Sequence, residues 1–214
     1  MGGVFPEATV FLPFVFAVVV IAVTPGPDMT FFLGRALSAG RSAGLAAVAG
    51  AATGLLVHTV MVAVGISALI VAAPTAFFAL KVAGALYLLW LAFQAIRHGS
   101  ALRLPSGPVP RAGLVGTWAS GAAINILNPK VALFFLTFLP QFVSAADPHA
   151  AAKLFVLGSV FILLGTAINL AIVLVADRFA SGMRGNPRIA RVLDWLFASI
   201  FTAFAARLLF ARAH

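Results

Sequence analysis

The sequence predicts an all-α polytopic membrane protein: six transmembrane helices in two inverted three-helix repeats, with helices 1 and 4 broken at proline motifs. The 214 residues are 63% hydrophobic and 9% charged, with a mean hydropathy of +1.12. Soluble domains average about 45–50% apolar and ~25% charged residues. Six apolar runs approach or exceed the roughly 20 residues that cross a bilayer. Two of those runs are interrupted by proline at the same depth.

The first run, 9–39, follows an N-terminus with no basic stretch and with Glu7, so it reads as a membrane helix and not as a cleaved signal peptide. It is broken at Thr24-Pro25-Gly26-Pro27-Asp28. The second, 43–71, carries Gly50-x-x-x-Gly54, which permits close helix approach, and His58 near its centre. The third is 77–96, and Arg97 to Arg111, with Pro105, Gly107, Pro108 and Pro110, reads as a linker between halves. The fourth, 113–142, is broken at Asn125-Ile126-Leu127-Asn128-Pro129-Lys130. The fifth, 153–176, and the sixth, 192–209, flank a connection carrying Gly182, Gly185 and Pro187. The chain thus divides into a first repeat, 1–97, a cytoplasmic linker, 98–112, and a second repeat, 113–214, within one membrane domain.

Each break follows about 16 helix-competent residues, so both lie ~24 Å along their helix. Proline removes a backbone donor and crowds the preceding turn, which exposes unpaired polar groups in hydrocarbon. Such breaks survive where they line a cavity, and a matched pair in two halves points to a transporter's substrate site.

Charge sets the orientation. Of the fourteen lysines and arginines, nine fall in connections 1–2, 3–4 and 5–6: Arg35, Arg41, Arg97, Arg103, Arg111, Arg178, Arg184, Arg188 and Arg191. The other side holds Lys81, Lys153, Arg207 and Arg212, and Lys130 lies within the membrane. The positive-inside rule then puts both termini outside and the arginine-rich loops in the cytoplasm. Three spans per half invert the second half relative to the first. Phe31-Phe32-Leu33 after one break and Phe134-Phe135-Leu136 after the other agree with this, as do Gly54-x-x-x-His58 and Gly165-x-x-x-Asn169.

The candidate site is Pro25, Gly26, Pro27, Asp28, His58, Asn125, Asn128, Pro129 and Lys130. A charge at mid-bilayer costs roughly 2.5–3.5 kcal/mol, so Asp28 and Lys130 are expected to face the bundle interior. Pro27 and Pro129 suit the first turn of a new helix, and Asn128 suits its N-cap. Asp28 complements the positive end of its helix, whereas Lys130 opposes it and makes sense if a negative group visits. A cation and an anion at one depth fit a zwitterion the size of an amino acid. His58 titrates near neutrality and can relay protons. The plainer readings are an Asp28–Lys130 ion pair, a hydrogen-bonded core histidine, and structural gluing for Asn169 and Gln94.

Several classes fall away. The net charge of +9 sits in loops, which argues against nucleic acid. Cysteine is absent, which removes disulfides, thiolate metal sites and thiol redox chemistry. A metal-ion exporter stays open as an alternative, although it wants several carboxylates or thiolates and here one intramembrane acid is accompanied by a repelling lysine. His58 has neither a His-Glu-x-x-His motif nor serine-hydrolase partners, so no enzyme and no cofactor is expected. A channel-like pore stays open as an alternative, since broken helices also occur in pores. The expected partners are a small-molecule substrate, protons and lipid, and the oligomeric state is open, a homodimer being one option.

Thr24-Pro25-Gly26-Pro27 followed by Gly40-Arg41-Ser42-Ala43-Gly44-Leu45 resembles the start of the RhtB (homoserine/threonine resistance) branch of the lysine-exporter (LysE) superfamily. Leu80-Lys81-Val82-Ala83-Gly84-Ala85-Leu86-Tyr87 resembles its third span, and Asn125-Ile126-Leu127-Asn128-Pro129-Lys130 through Leu139-Pro140-Gln141-Phe142 its fourth. The resemblance implies a bacterial inner-membrane exporter of amino acids or related metabolites, with six helices and driven by the proton gradient.

Overall fold

The structure, a computed structural model, describes residues 8–66, 74–98, 112–143 and 147–178, with isolated helical positions between 188 and 206. The expected linker falls almost wholly outside the described residues. So does half of the sixth span.

Every regular element described is helical. The chain runs through α1 (Ala8–Val23), α2 (Pro27–Ala39), α3 (Arg41–Met61), α4 (Pro74–His98), α5 (Leu114–Ile126), α6 (Pro129–Leu133) and α7 (Ala150–Leu174). Residues 41–65 and 150–174 are each long and apolar enough to cross a membrane. The pairs α1–α2 and α5–α6 form two bent spans, at 51° and 50°, which brings the count to four among the described residues. Both bends fall where Pro27 and Pro129 take the first position of the second helix, where a missing N–H costs least.

Beyond α6 the fourth span departs from the expected regular helix. Phe134–Phe138 forms a widened π turn and Leu139–Phe142 a tight 3-10 turn. Pro140 explains the change of pitch, because its ring cannot sit against the carbonyl one turn back in a regular α-helix.

Small residues set the closest approaches. A methyl on Gly50 would lie 2.0 Å from the Trp118 carbonyl oxygen, and one on Gly121 would lie 2.4 Å from that of Ala47. Thus α3 and α5 touch backbone to backbone, with Gly54 against Asn125 further along. The ascending register shows the two helices running parallel. Against α7 the register descends, with Gly44 beside Val173 and Thr59 beside Gly158, so that pair is antiparallel. The ends near Arg41, Ala112 and Arg178 therefore gather on one side of the bundle, and Lys153 lies on the other.

Arg35 corrects the expectation of a loop cation. It is buried on α2 and donates to the Ala112 carbonyl at 3.0 Å and to Thr117 Oγ1 at 2.8 Å, tying α2 to the start of α5. Around the middle, Phe14, Phe134, Phe135, Phe138, Phe142 and Phe161 pack with centroids 5.0–6.0 Å apart. Lipid tails are as apolar as these rings, so van der Waals fit holds the cluster and water exclusion adds little. Leu12, Val64, Val115, Leu127 and Leu163 point outward, as a lipid-facing surface requires.

Helical hydroxyls show one recurrent habit. Those of Thr24, Ser38, Thr53, Thr59, Ser120, Thr137 and Ser159 each donate to the carbonyl four residues back. In a medium without water this satisfies the group locally.

Candidate functional site

The two breaks meet. Asp28, second residue of α2, sends one carboxylate oxygen across to the other break. Its Oδ2 accepts from Asn125 Nδ2 at 3.0 Å and from Asn128 Nδ2 at 2.9 Å. Asn128 is also the N-cap of α6, its Oδ1 accepting from the Lys130 amide at 3.0 Å. One side chain thus closes a helix start in its own half and grips the carboxylate of the other.

Lys130 makes the return crossing. It is the second residue of α6, and its ammonium donates to the Thr24 carbonyl at 3.0 Å and, at 3.5 Å, to that of Ile21. Carbonyls at the end of α1 lack partners within the helix and carry partial negative charge. The lysine that opposes the dipole of its own helix therefore answers the dipole of another. No residue letter signals this, because the partners are backbone atoms. Gly26 gives the ammonium room: a methyl there would lie 3.0 Å from Lys130 Nζ.

Asp28 and Lys130 do not bond to each other; each is held by the opposite break. Both line a cavity of about 40 Å³, roughly the room of three waters, together with Asn125 from α5 and Thr166 and Asn169 from α7. Within its wall Asp28 Oδ1, Asn125 Oδ1 and Thr166 Oγ1 are buried without a hydrogen-bond partner.

The remaining predicted residues sort by position. Pro27 and Pro129 face outward and set the bends without lining the cavity, while Pro25 is buried beneath the first break. His58 is buried off the cavity, its ring stacked on Phe135 at 5.6 Å and its Nε2 3.3 Å from the Asn125 carbonyl oxygen. A carbonyl only accepts, so Nε2 carries the proton in this contact. His58 thus reaches Asp28 through one residue, Asn125.

Sequence reading left Thr166 unremarked and assigned Asn169 to structural gluing. The pairing of Gly165-x-x-x-Asn169 with Gly54-x-x-x-His58 was the available signal for Asn169. Thr166 offered none, since a threonine in an apolar helix normally satisfies itself.

Residues 19–212 match the family model described as LysE type translocator. The chain is 30% identical over 198 residues to the homoserine/homoserine lactone efflux protein of Salmonella typhimurium, covering 90% of this chain and 92% of that one. It is 30% identical over 206 residues to an uncharacterised membrane protein of Vibrio cholerae, covering 95% and 98%. A second such protein, from Pseudomonas aeruginosa, is 28% identical over 204 residues, with 94% of each covered. No solved structure matches.

Proposed function

The chain belongs to the LysE type translocator family, and from that premise we propose that it exports amino acids or closely related metabolites across the bacterial inner membrane by proton antiport. One observation carries the reading: the two breaks bring an anionic and a cationic side chain to one intramembrane cavity, each secured by the opposite half. The efflux protein of Salmonella typhimurium, named for homoserine and its lactone, favours a substrate of that size and charge.

The site has spare capacity of the right kind. Asp28 Oδ2 is committed to two amides, whereas Oδ1 is unpartnered and can take a substrate ammonium or a proton. Lys130 uses donors on two carbonyls, and an ammonium has three, so one N–H is left for a substrate carboxylate. A cavity of about 40 Å³ must widen to admit an amino acid. Alternating access supplies that widening, by rocking of two inverted three-helix halves around the breaks. The matching bends of 51° and 50° and the antiparallel packing of α3 on α7 favour the inverted repeat.

In the proposed cycle the amino acid binds from the cytoplasm with its ammonium on Asp28. After the site turns outward, a proton from the periplasm takes that oxygen and the amino acid leaves. Return and loss of the proton inside complete the exchange. His58, bonded to the backbone of Asn125, a partner of Asp28, is assigned a part in handling that proton as a titratable group. The arginine-rich end of the bundle is placed in the cytoplasm, with both termini outside.

Proteoliposomes test this. Substrate flux is expected to accelerate under an imposed pH gradient, to show counterflow, and to lose its pH dependence in Asp28→Asn. Flux without counterflow would indicate a pore, and unchanged pH dependence in Asp28→Asn would remove the carboxylate from coupling. Overexpression should also identify the cargo, as the added amino acid or analogue that becomes tolerated.

A further inference from the structure

We infer that Thr166 on α7 selects among substrates, by hydrogen bonding a polar oxygen on the side chain of the transported amino acid. This rests on the export reading above and adds to it the part of the site that tells one cargo from another.

Every amino acid carries the same ammonium and carboxylate, so Asp28 and Lys130 treat all of them alike. Discrimination falls to an uncharged group in the cavity wall. Thr166 departs from the habit of the helical hydroxyls described above: its Oγ1 is buried and makes no bond, either to its own helix or elsewhere. Leaving such a group unpaired is costly, and a bound ligand's oxygen would recover that cost. Thr166 lines the same cavity as Asp28 and Lys130, and Asn169, three residues on and so on the same helical face, adds an amide to that wall. Phe161 and Leu55 supply apolar surface beside them, where a side chain's methylenes can rest. A hydroxyl serves as donor or acceptor, so Thr166 suits a side-chain hydroxyl or a carbonyl oxygen alike.

The test compares cargo pairs differing by one oxygen, serine with alanine and homoserine with 2-aminobutyrate, in proteoliposome counterflow. Thr166→Val keeps the shape and removes the hydroxyl. It is expected to lower Vmax/KM for the oxygen-bearing member by about three- to tenfold and to leave the apolar member unchanged or improved. Thr166→Ser should restore the wild-type ratio, which a merely structural role would not. An unchanged ratio in Thr166→Val with counterflow intact, or equal losses for both members, would overturn this inference alone. If wild-type protein shows no counterflow with any amino acid, the export reading fails and this inference with it.

Discussion

The two breaks share a backbone device and divide the chemistry between them. They bend by nearly the same angle, 51° and 50°, each with an outward proline followed by an inward charged residue. Yet the first break contributes acceptors and the second donors. The Asp28 carboxylate and the Thr24 and Ile21 carbonyls receive; the Asn125 and Asn128 amides and the Lys130 ammonium give. Two like bends thus form an asymmetric site, and its two charges are not interchangeable.

The most forceful way to break this comparison is to transpose the charges. A simple ion pair would survive Asp28→Lys combined with Lys130→Asp. Here the exchanged carboxylate would face backbone carbonyls, which cannot donate. An uncompensated buried charge costs about 3–5 kcal/mol, so transport is expected to fall at least about a hundredfold, with poorer thermal stability in detergent. Recovery of wild-type flux in the transposed protein would show that the pair, and not the crossed bracing, is what matters.

A smaller contrast separates the two helix starts. Asn128→Ala removes the cap of α6 and one of the amides on Asp28, for an expected loss of about 1–2 kcal/mol in detergent unfolding. The start of α2 has no side-chain cap at Gly26. Gly26→Ala meets only the far end of the Lys130 side chain, so its loss should be less than about 1 kcal/mol, with substrate affinity more affected than folding. Equal losses in the two variants would contradict the assignment of donors to the second break.

The smallest effect is expected far from both breaks, at the start of α7. The Lys153 ammonium and the His149 amide bond to Asp147 and hold its carboxyl below its ordinary value of 3.8. A depressed carboxyl stabilises the folded protein above that value, and the contribution fades as the pH falls below it. Asp147→Asn should therefore leave neutral-pH transport unchanged and slightly reduce the dependence of unfolding on acid below about pH 4. Altered pH dependence of transport in this variant would place coupling outside the breaks.

Much of this was legible in the chain itself, because proline and charge are costly in lipid and announce themselves. Pro27 and Pro129 mark both bends, and Asp28, Asn125, Asn128 and Lys130 stand out beside them as polar residues that lipid makes costly. What escaped notice is carried by groups without a distinctive letter. Lys130 is held by backbone carbonyls, which every residue possesses. Gly50-x-x-x-Gly54 read as a generic packing motif, and only the structure shows it against the backbone of α5. Arg35 was counted with the loop cations because α2 was not known to bury that face. Thr166 differs from other threonines by a bond it does not make, and no sequence displays that.

The contact between α3 and α5 has a mechanical consequence. Where Gly50 and Gly121 meet the opposing backbones the seam has no side-chain teeth to disengage when the two helices tilt, and the side chains that do cross it are few, Trp118 to Thr53 and Asn125 against Gly54 among them. It also leaves no slack for sliding, since carbonyl oxygens already rest on the opposing helix. A joint of that kind rolls, so the seam is suited to be the fulcrum of the rocking proposed above.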